Sequence, residues 1–286
     1  MTAARGGGRI TGRLGFAIGF LGILVVSAAA APLVAAIGSP FVPYSPDRVD
    51  LPSRFLPPSS VHLFGTDELG RDLLARTIHG ARVSLAVGLA VAVLSLCVGI
   101  LVGSMAGFAG GVIDWAVSRA TELALSFPFF FLALGVAALF EPSLGAVVAT
   151  LVAVSWTSDA KVVRGEVRRL RDGDIATAAR AAGASRARIL FRHLLPAAIG
   201  PAVASAAFGV ASAIAAESAL SFLGLGVQPP QASWGSILAS ADDHIRRAWW
   251  IAAFPGLALF ATIIACNFVG EAARDALNPE ADVRGR

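Results

Sequence analysis

Asp174-Ile-Ala-Thr-Ala-Ala-Arg-Ala-Ala-Gly-Ala-Ser-Arg-Ala-Arg-Ile-Leu-Phe-Arg-His-Leu-Leu-Pro196 is the stretch that decides how this chain is built. It carries Arg180, Arg186, Arg188 and Arg192, too many charges to lie in a bilayer. Its alanines suit short helices better than a random loop. The chain on either side is mostly hydrocarbon. A membrane protein that exposes one such segment offers it to a soluble partner.

Composition sets the class. Hydrophobic residues make up 56% of the 286, and charged residues only 15%, against about 25% in soluble domains. Several apolar runs reach the roughly 20 residues that a spanning helix needs. The alternating ten-residue segments of a β-barrel are missing. The chain therefore reads as an all-α integral membrane protein.

Lys161 is the only lysine and follows Ala160, so no Gly-Lys-Ser/Thr phosphate loop exists. The chain itself is not expected to bind ATP by that route or to be an enzyme. Nucleic acid is a poor partner, because the arginines follow membrane topology rather than forming one face of a soluble domain. Cys97 and Cys266 lie inside apolar runs and read as small packing residues. His62, His79, His193 and His244 are scattered, so no metal site is expected.

Six spans are predicted. The first runs from about Gly15 to Ile37, behind Arg5, Arg9 and Arg13. It is longer than a usual signal-peptide core, which favours a retained helix over a cleaved leader. Residues 38–81 form a polar loop whose first part holds six prolines, which argues against a long helix there. The other spans run from about Val83 to Met105, Trp115 to Phe140, Ser143 to at least Ser158, Ala198 to Phe222, and Trp249 to Phe268. The core thus covers 82–275 and includes a loop at 161–197; a tail follows at 276–286.

The arginines orient the chain. With the N-terminus inside, inner segments hold fifteen basic residues and outer segments seven, as the positive-inside rule requires. Residues 161–192 alone carry nine bases against Glu166, Asp172 and Asp174, so this segment is placed in the cytoplasm. Lys161 to Arg171 can continue the fourth span as a helix. Asp172-Gly173-Asp174 is a break, with Asp174 a possible cap. A second helix covers Ile175 to Ala182 and ends at Gly183. Ser185 caps a third piece reaching Leu195, where Pro196 limits its extension. An ordinary loop on anionic headgroups needs bases and bulky anchors, not alanines followed by glycine. A docking helix fits better.

Ala178-Ala179, Gly183 and His193-Leu194-Leu195-Pro196 resemble the cytoplasmic loop signature of ABC importer permeases. Thr177 stands where that family often has Glu. Phe64-Gly65-Thr66-Asp67-Glu68-Leu69-Gly70-Arg71-Asp72 with Gly80-Ala81-Arg82-Val83-Ser84-Leu85 is similar to the segment before the second helix of the peptide and nickel importer permeases. Glu217 to Pro230, Ser233-Trp234-Gly235, Phe254-Pro255-Gly256 and Asn267-Phe268-Val269-Gly270 also match, in the same order. The Gly-Thr-Asp element resembles the C-type subunit of such systems.

The resemblance implies a type I importer permease with both termini cytoplasmic. It implies coupling through Thr177, Ala178, Ala179, Arg180, Gly183, Arg186, Arg188 and Pro196. The implied partners are a second homologous permease, two ATPase subunits that bind ATP and Mg, an extracytoplasmic binding protein and membrane lipid. The place is a bacterial or archaeal cytoplasmic membrane. Dipeptides, longer peptides, nickel chelates and glutathione-like solutes all remain open as cargo. A channel or secondary transporter driven by an ion gradient, and a scaffold without flux, are the competing classes.

Glu217, Ser221 and Trp234 are candidates for the translocation path. A charge at the centre of a spanning helix costs about 2.5–3.5 kcal/mol on insertion scales, so Glu217 is either functional or hydrogen-bonded to a neighbouring helix. Trp234 reads first as an interfacial anchor and second as part of an outer gate; Trp249 and Trp250 read as anchors. Arg119 and Glu122 are spaced for an intrahelical ion pair. Pro128 inside the third span predicts a tolerated kink.

Overall fold

The computed structural model describes residue 15 and residues 18–26, 45–141 and 143–277. These are helical throughout, apart from loops and one isolated antiparallel bridge between Thr66 and Asp72. The predicted first span lies largely outside the described residues. Residues 18–26 are helical, and Leu21 and Leu24 pack on the cluster of Ala211, Ile214 and Trp234.

Helix α1 (Leu73–Ala109) starts ten residues before the predicted span. Asp72 caps it by accepting the Ala75 amide at 2.9 Å. Its 37 residues measure about 55 Å, well beyond the roughly 30 Å hydrocarbon core. Gly110 ends it and α2 (Gly111–Ser126) begins at once. The predicted third span is not one kinked helix. Phe127, which precedes a proline, is held extended, so the chain breaks there and α3 (Phe129–Leu139) leaves at 84°.

α4 (Leu144–Arg171) is unbroken and carries the fourth span out past Asp159. α5 (Asp174–Ala181) follows. Gly173, not Asp174, is its N-cap, and no side chain caps it; Asp174 lies in the first turn instead. α6 (Arg186–Phe222) is continuous through Pro196, which was expected to limit it. A π-turn at Ile189–Leu194, in which the Leu195 amide reaches back to Leu190 O, widens the helix just before the proline ring. α7 (Trp234–Ala241) and α8 (Trp250–Leu277) complete the core. Four helices are long and apolar enough to span a membrane, or five if α2 and α3 count as one bent span.

α1 and α4 form the main seam. Gly99, Gly103 and Gly107 recur every fourth residue on α1. A Cβ at these positions would lie 2.5–2.7 Å from Asp159 Cβ, Ala160 O and Arg164 O of α4. With no hydrophobic drive between helices in lipid, such close backbone approach is what holds them. Asp114 on α2 and Arg164 on α4 form a bidentate ion pair that braces the end of this seam. Arg119 and Glu122 pair within α2.

Candidate functional site: a docking hairpin and a buried carboxylate clasp

The basic stretch forms a helical hairpin at one end of the bundle. Ala176, Ile189 and Leu194 make a small core with Phe108 and Leu170, which fixes α5 against the ends of α1, α4 and α6. Gly183 takes φ +78°, where other residues are strained. It lets the Ala184 amide close on Ala179 O at 3.0 Å and ends α5. Ser185 Oγ then accepts the Arg188 amide at 3.4 Å and starts α6.

The outer side of the hairpin is open. Thr177, Ala178, Arg180, Gly183, Arg186, Arg188 and Pro196 are exposed, while Ala179 is half-buried. Ile175 and Phe191 stand out at 59% and 66% exposure. Small residues, two apolar knobs and free guanidinium groups therefore share one surface. Arg186, Arg188 and Arg192 carry no hydrogen bond or ion pair among the described residues.

Arg180 differs. Its Nε donates to Ala176 O at 3.1 Å and its Nη2 to Arg171 O at 3.1 Å, so it closes the end of α4. Arg171 in turn donates to Gly107 O at 3.2 Å and Phe108 O at 3.4 Å, closing the end of α1. Its pairing with Asp172 holds that exposed carboxyl below the usual carboxylate range. Arg171 thus joins α5 to the main seam. Sequence reading passed it over as one base among nine; its place immediately before the Asp-Gly-Asp break was the available signal.

The other three candidates meet at a second place. Glu217 is fully buried in α6. Its Oε2 accepts Ser84 Oγ of α1 at 2.8 Å, and its Oε1 accepts Ser221 Oγ at 2.7 Å. Ser221 Oγ accepts the Val227 amide at 3.0 Å, and Ser84 Oγ accepts the Trp234 amide at 3.4 Å. Trp234 is wholly buried, with its indole N–H donating to Thr77 O at 3.0 Å. It is not an interfacial anchor: its ring fills the gap between α1, α6 and α8. Ser84 was visible in the sequence only as a serine after Arg-Val; its partner lies 133 residues away.

The Gly-Thr-Asp element forms a clasp beside this network. Asp67 Oδ1 accepts the Leu69 and Arg71 amides at 2.9 Å, and Oδ2 pairs with Arg71 Nε at 2.7 Å and Arg76 Nε at 3.4 Å. Trp250, read as an anchor, is instead buried and donates its indole N–H to Thr66 O at 3.1 Å. Phe64 stacks on Phe254 at 4.0 Å. The scattered motifs Gly-Thr-Asp, Ser-Trp-Gly and Phe-Pro-Gly are thus neighbours in space.

The chain is similar to known proteins along most of its length. The family of binding-protein-dependent transport system inner membrane components matches residues 99–283. A putative peptide transport system permease protein of Brucella suis is 40% identical over 97% of this chain and 92% of its own. The di/tripeptide transport system permease protein DppC of Pseudomonas aeruginosa is 40% identical over 91% of this chain and 86% of its own. DppC of Bacillus subtilis is 38% identical over 87% and 78%. Among solved structures, the inward-facing MetNI methionine ABC transporter aligns with 72% of this chain and 96% of its own, at TM-score 0.56 and 19% identity. That likeness bears on the fold alone.

Proposed function

This chain belongs to the binding-protein-dependent transport system inner membrane components, the permease subunits of ABC importers, and from that premise we propose that it imports di- and oligopeptides. Peptide transport in the names of relatives at 34–40% identity supports the cargo class. The single observation that carries the coupling role is the exposed face of α5. Thr177, Ala178 and Ala181 are exposed there and Arg186 and Arg188, unpaired among the described residues, follow at the start of α6, while Arg180 and Arg171 tie α5 to the ends of α4 and α1.

In this reading the chain crosses the membrane six times, with both termini and residues 161–197 in the cytoplasm, residues 38–81 outside and a tail at 276–286. The excess of inner arginines supports that orientation. Two partner ATPases bind ATP and Mg; this chain holds neither. Their closure pushes α5, and the links through Arg180, Arg171 and the π-turn of α6 pass the motion into the seam helices. The effect is a population shift between inward- and outward-open states. A second, homologous permease supplies the rest of the pathway, and a binding protein delivers peptide outside.

The test is uptake by the complex reconstituted from this permease, its homologue, both ATPases and the binding protein. Labelled di- and tripeptides should accumulate only with hydrolysable ATP and persist when ionophores collapse the ion gradients. Uptake that tracks an ion gradient without the ATPases would return the chain to the secondary-transporter class. Uptake of nickel chelates in place of peptides would keep the fold role and overturn the cargo.

A further inference from the structure

On the extracytoplasmic side of the proposed topology, a groove of about 380 Å³ opens between the Pro46–Asp47 turn, the first turns of α1, Leu144 at the start of α4 and Gln231 before α7. That volume falls in the range of small-molecule pockets. Its walls are fixed relative to one another. Gly80 lets the backbone at Ser233 and Trp234 approach α1, where a Cβ would meet it at 3.2–3.3 Å. The Trp234 amide is bonded to Ser84 just below.

The charges around this groove are not equally free. Arg71 pairs with Asp67 and Glu68, and Arg76 with Asp67 and Asp47. Arg82 lines the groove, is exposed and has no hydrogen bond or ion pair among the described residues. His79, one turn earlier, bonds Ala75 O through Nδ1 at 3.0 Å, and its Nε2 has no partner among the described residues. Asp47, which also lines the groove, is about half exposed and only loosely held by Arg76 at 3.8 Å. Below Arg82 the same face of α1 continues as Ala86, Leu89 and Val93, all exposed and uncharged. A guanidinium without a partner among the described residues therefore stands at the head of an apolar track, with a carboxylate lining the same groove.

We propose that this groove is a peptide subsite in which Arg82 receives the C-terminal carboxylate of the cargo. The inference rests on the peptide-importer reading above. A guanidinium fork matches a carboxylate in two parallel hydrogen bonds. His79 Nε2 adds a third polar contact. Asp47, a carboxylate in the same groove, is the group available to the cargo's ammonium, so a short zwitterion with modest side chains is the class of cargo this subsite takes.

The experiment omits the binding protein so that its own selectivity does not intervene. The complex of both permeases and both ATPases, in phosphatidylcholine nanodiscs, is mixed with dialanine and followed by saturation-transfer NMR on the dialanine methyl groups. Wild type should bind dialanine and bind dialaninamide about tenfold more weakly. R82Q should bind dialanine about as weakly as the wild type binds the amide, and R82K should recover part of the difference. Equal dialanine binding by wild type and R82Q overturns the subsite. Loss of dialanine binding by wild type when phosphatidylglycerol replaces phosphatidylcholine assigns Arg82 to an anionic lipid headgroup and overturns it as well. ATP-driven peptide uptake with binding protein present is the separate check on the importer reading, which survives either result.

Discussion

Ser84 on α1 donates a 2.8 Å hydrogen bond to Glu217 on α6, and the same hydroxyl accepts the Trp234 amide from the start of α7. With Ser221, the pattern repeats: an amide donates to a hydroxyl, and the hydroxyl donates to the carboxylate. Two loop amides are therefore oriented by one buried carboxyl group. Polarised chains of this kind strengthen each bond in a low-dielectric setting.

Glu217→Ala should release both amides. Removing a buried acceptor that serves the hydroxyls of Ser84, Ser221 and, at 3.5 Å, Ser218 is expected to cost about 2–4 kcal/mol. Amide hydrogen exchange at Val227 and Trp234 should then accelerate at least about tenfold. Glu217→Gln keeps the volume and one acceptor, so its loss should be smaller, with the complex still assembled and uptake reduced. Wild-type exchange at both amides in Glu217→Ala would remove Glu217 from this role.

The glycine seam makes a sharper steric prediction. Gly103→Leu places a side chain where Ala160 O and Val163 already stand. Separation of α1 from α4 should lower the yield of folded protein and its melting temperature by an amount typical of severe core overpacking, about 3 kcal/mol or more. Gly145→Ala is the control, since nothing lies within 4 Å of its added Cβ. Size-exclusion profiles of the two variants in detergent decide it; equal profiles would mean the seam tolerates separation.

Much of this arrangement was legible because bilayers restrict the options. Apolar runs located α1, α4, α6 and α8, and Gly183 and Ser185 marked the turns of the docking hairpin. The boundaries failed where geometry outside the bilayer takes over. α1 begins ten residues early because Asp72, not hydropathy, starts it. Pro196 was expected to stop a helix and instead follows a π-turn, a device with no local composition to announce it. Pro128 gave a break where a kink was expected. Trp234 and Trp250 were misplaced because a tryptophan at a span end fits an interface and a buried indole equally well; only their acceptors, Thr77 O and Thr66 O, distinguish the two.

The docking hairpin separates two kinds of arginine. Arg188 is free and faces outward, so Arg188→Glu should weaken retention of the ATPase subunits, increasingly as ionic strength falls and repulsion is less screened. Arg180 is engaged with Arg171 O, so Arg180→Ala should leave the ATPases bound while reducing substrate-stimulated hydrolysis. Gly183→Val strains the turn at φ +78° by about 1–2 kcal/mol and should resemble Arg180→Ala. Pull-down at two salt concentrations, alongside hydrolysis assays, distinguishes them. Full ATPase retention by Arg188→Glu at low salt, with wild-type coupling in Arg180→Ala, would contradict both assignments.

Asp114 and Arg164 close the α1–α4 seam at the end nearer the basic hairpin through both guanidinium arms, with Nη2 at 3.0 Å from Oδ2. Both side chains remain partly exposed, at 18% and 25%, so solvent screens the pair and its net worth is modest. Asp114→Asn and Arg164→Met should each lower stability by about 1 kcal/mol. The double variant should cost less than their sum by about 0.5–1 kcal/mol, because each single change leaves the other group without its partner. The measurement is a double-mutant cycle on thermal unfolding of the purified complex. Strictly additive losses would mean that α2 is held to α4 by packing alone, and the pair would then be a surface contact without a bracing role.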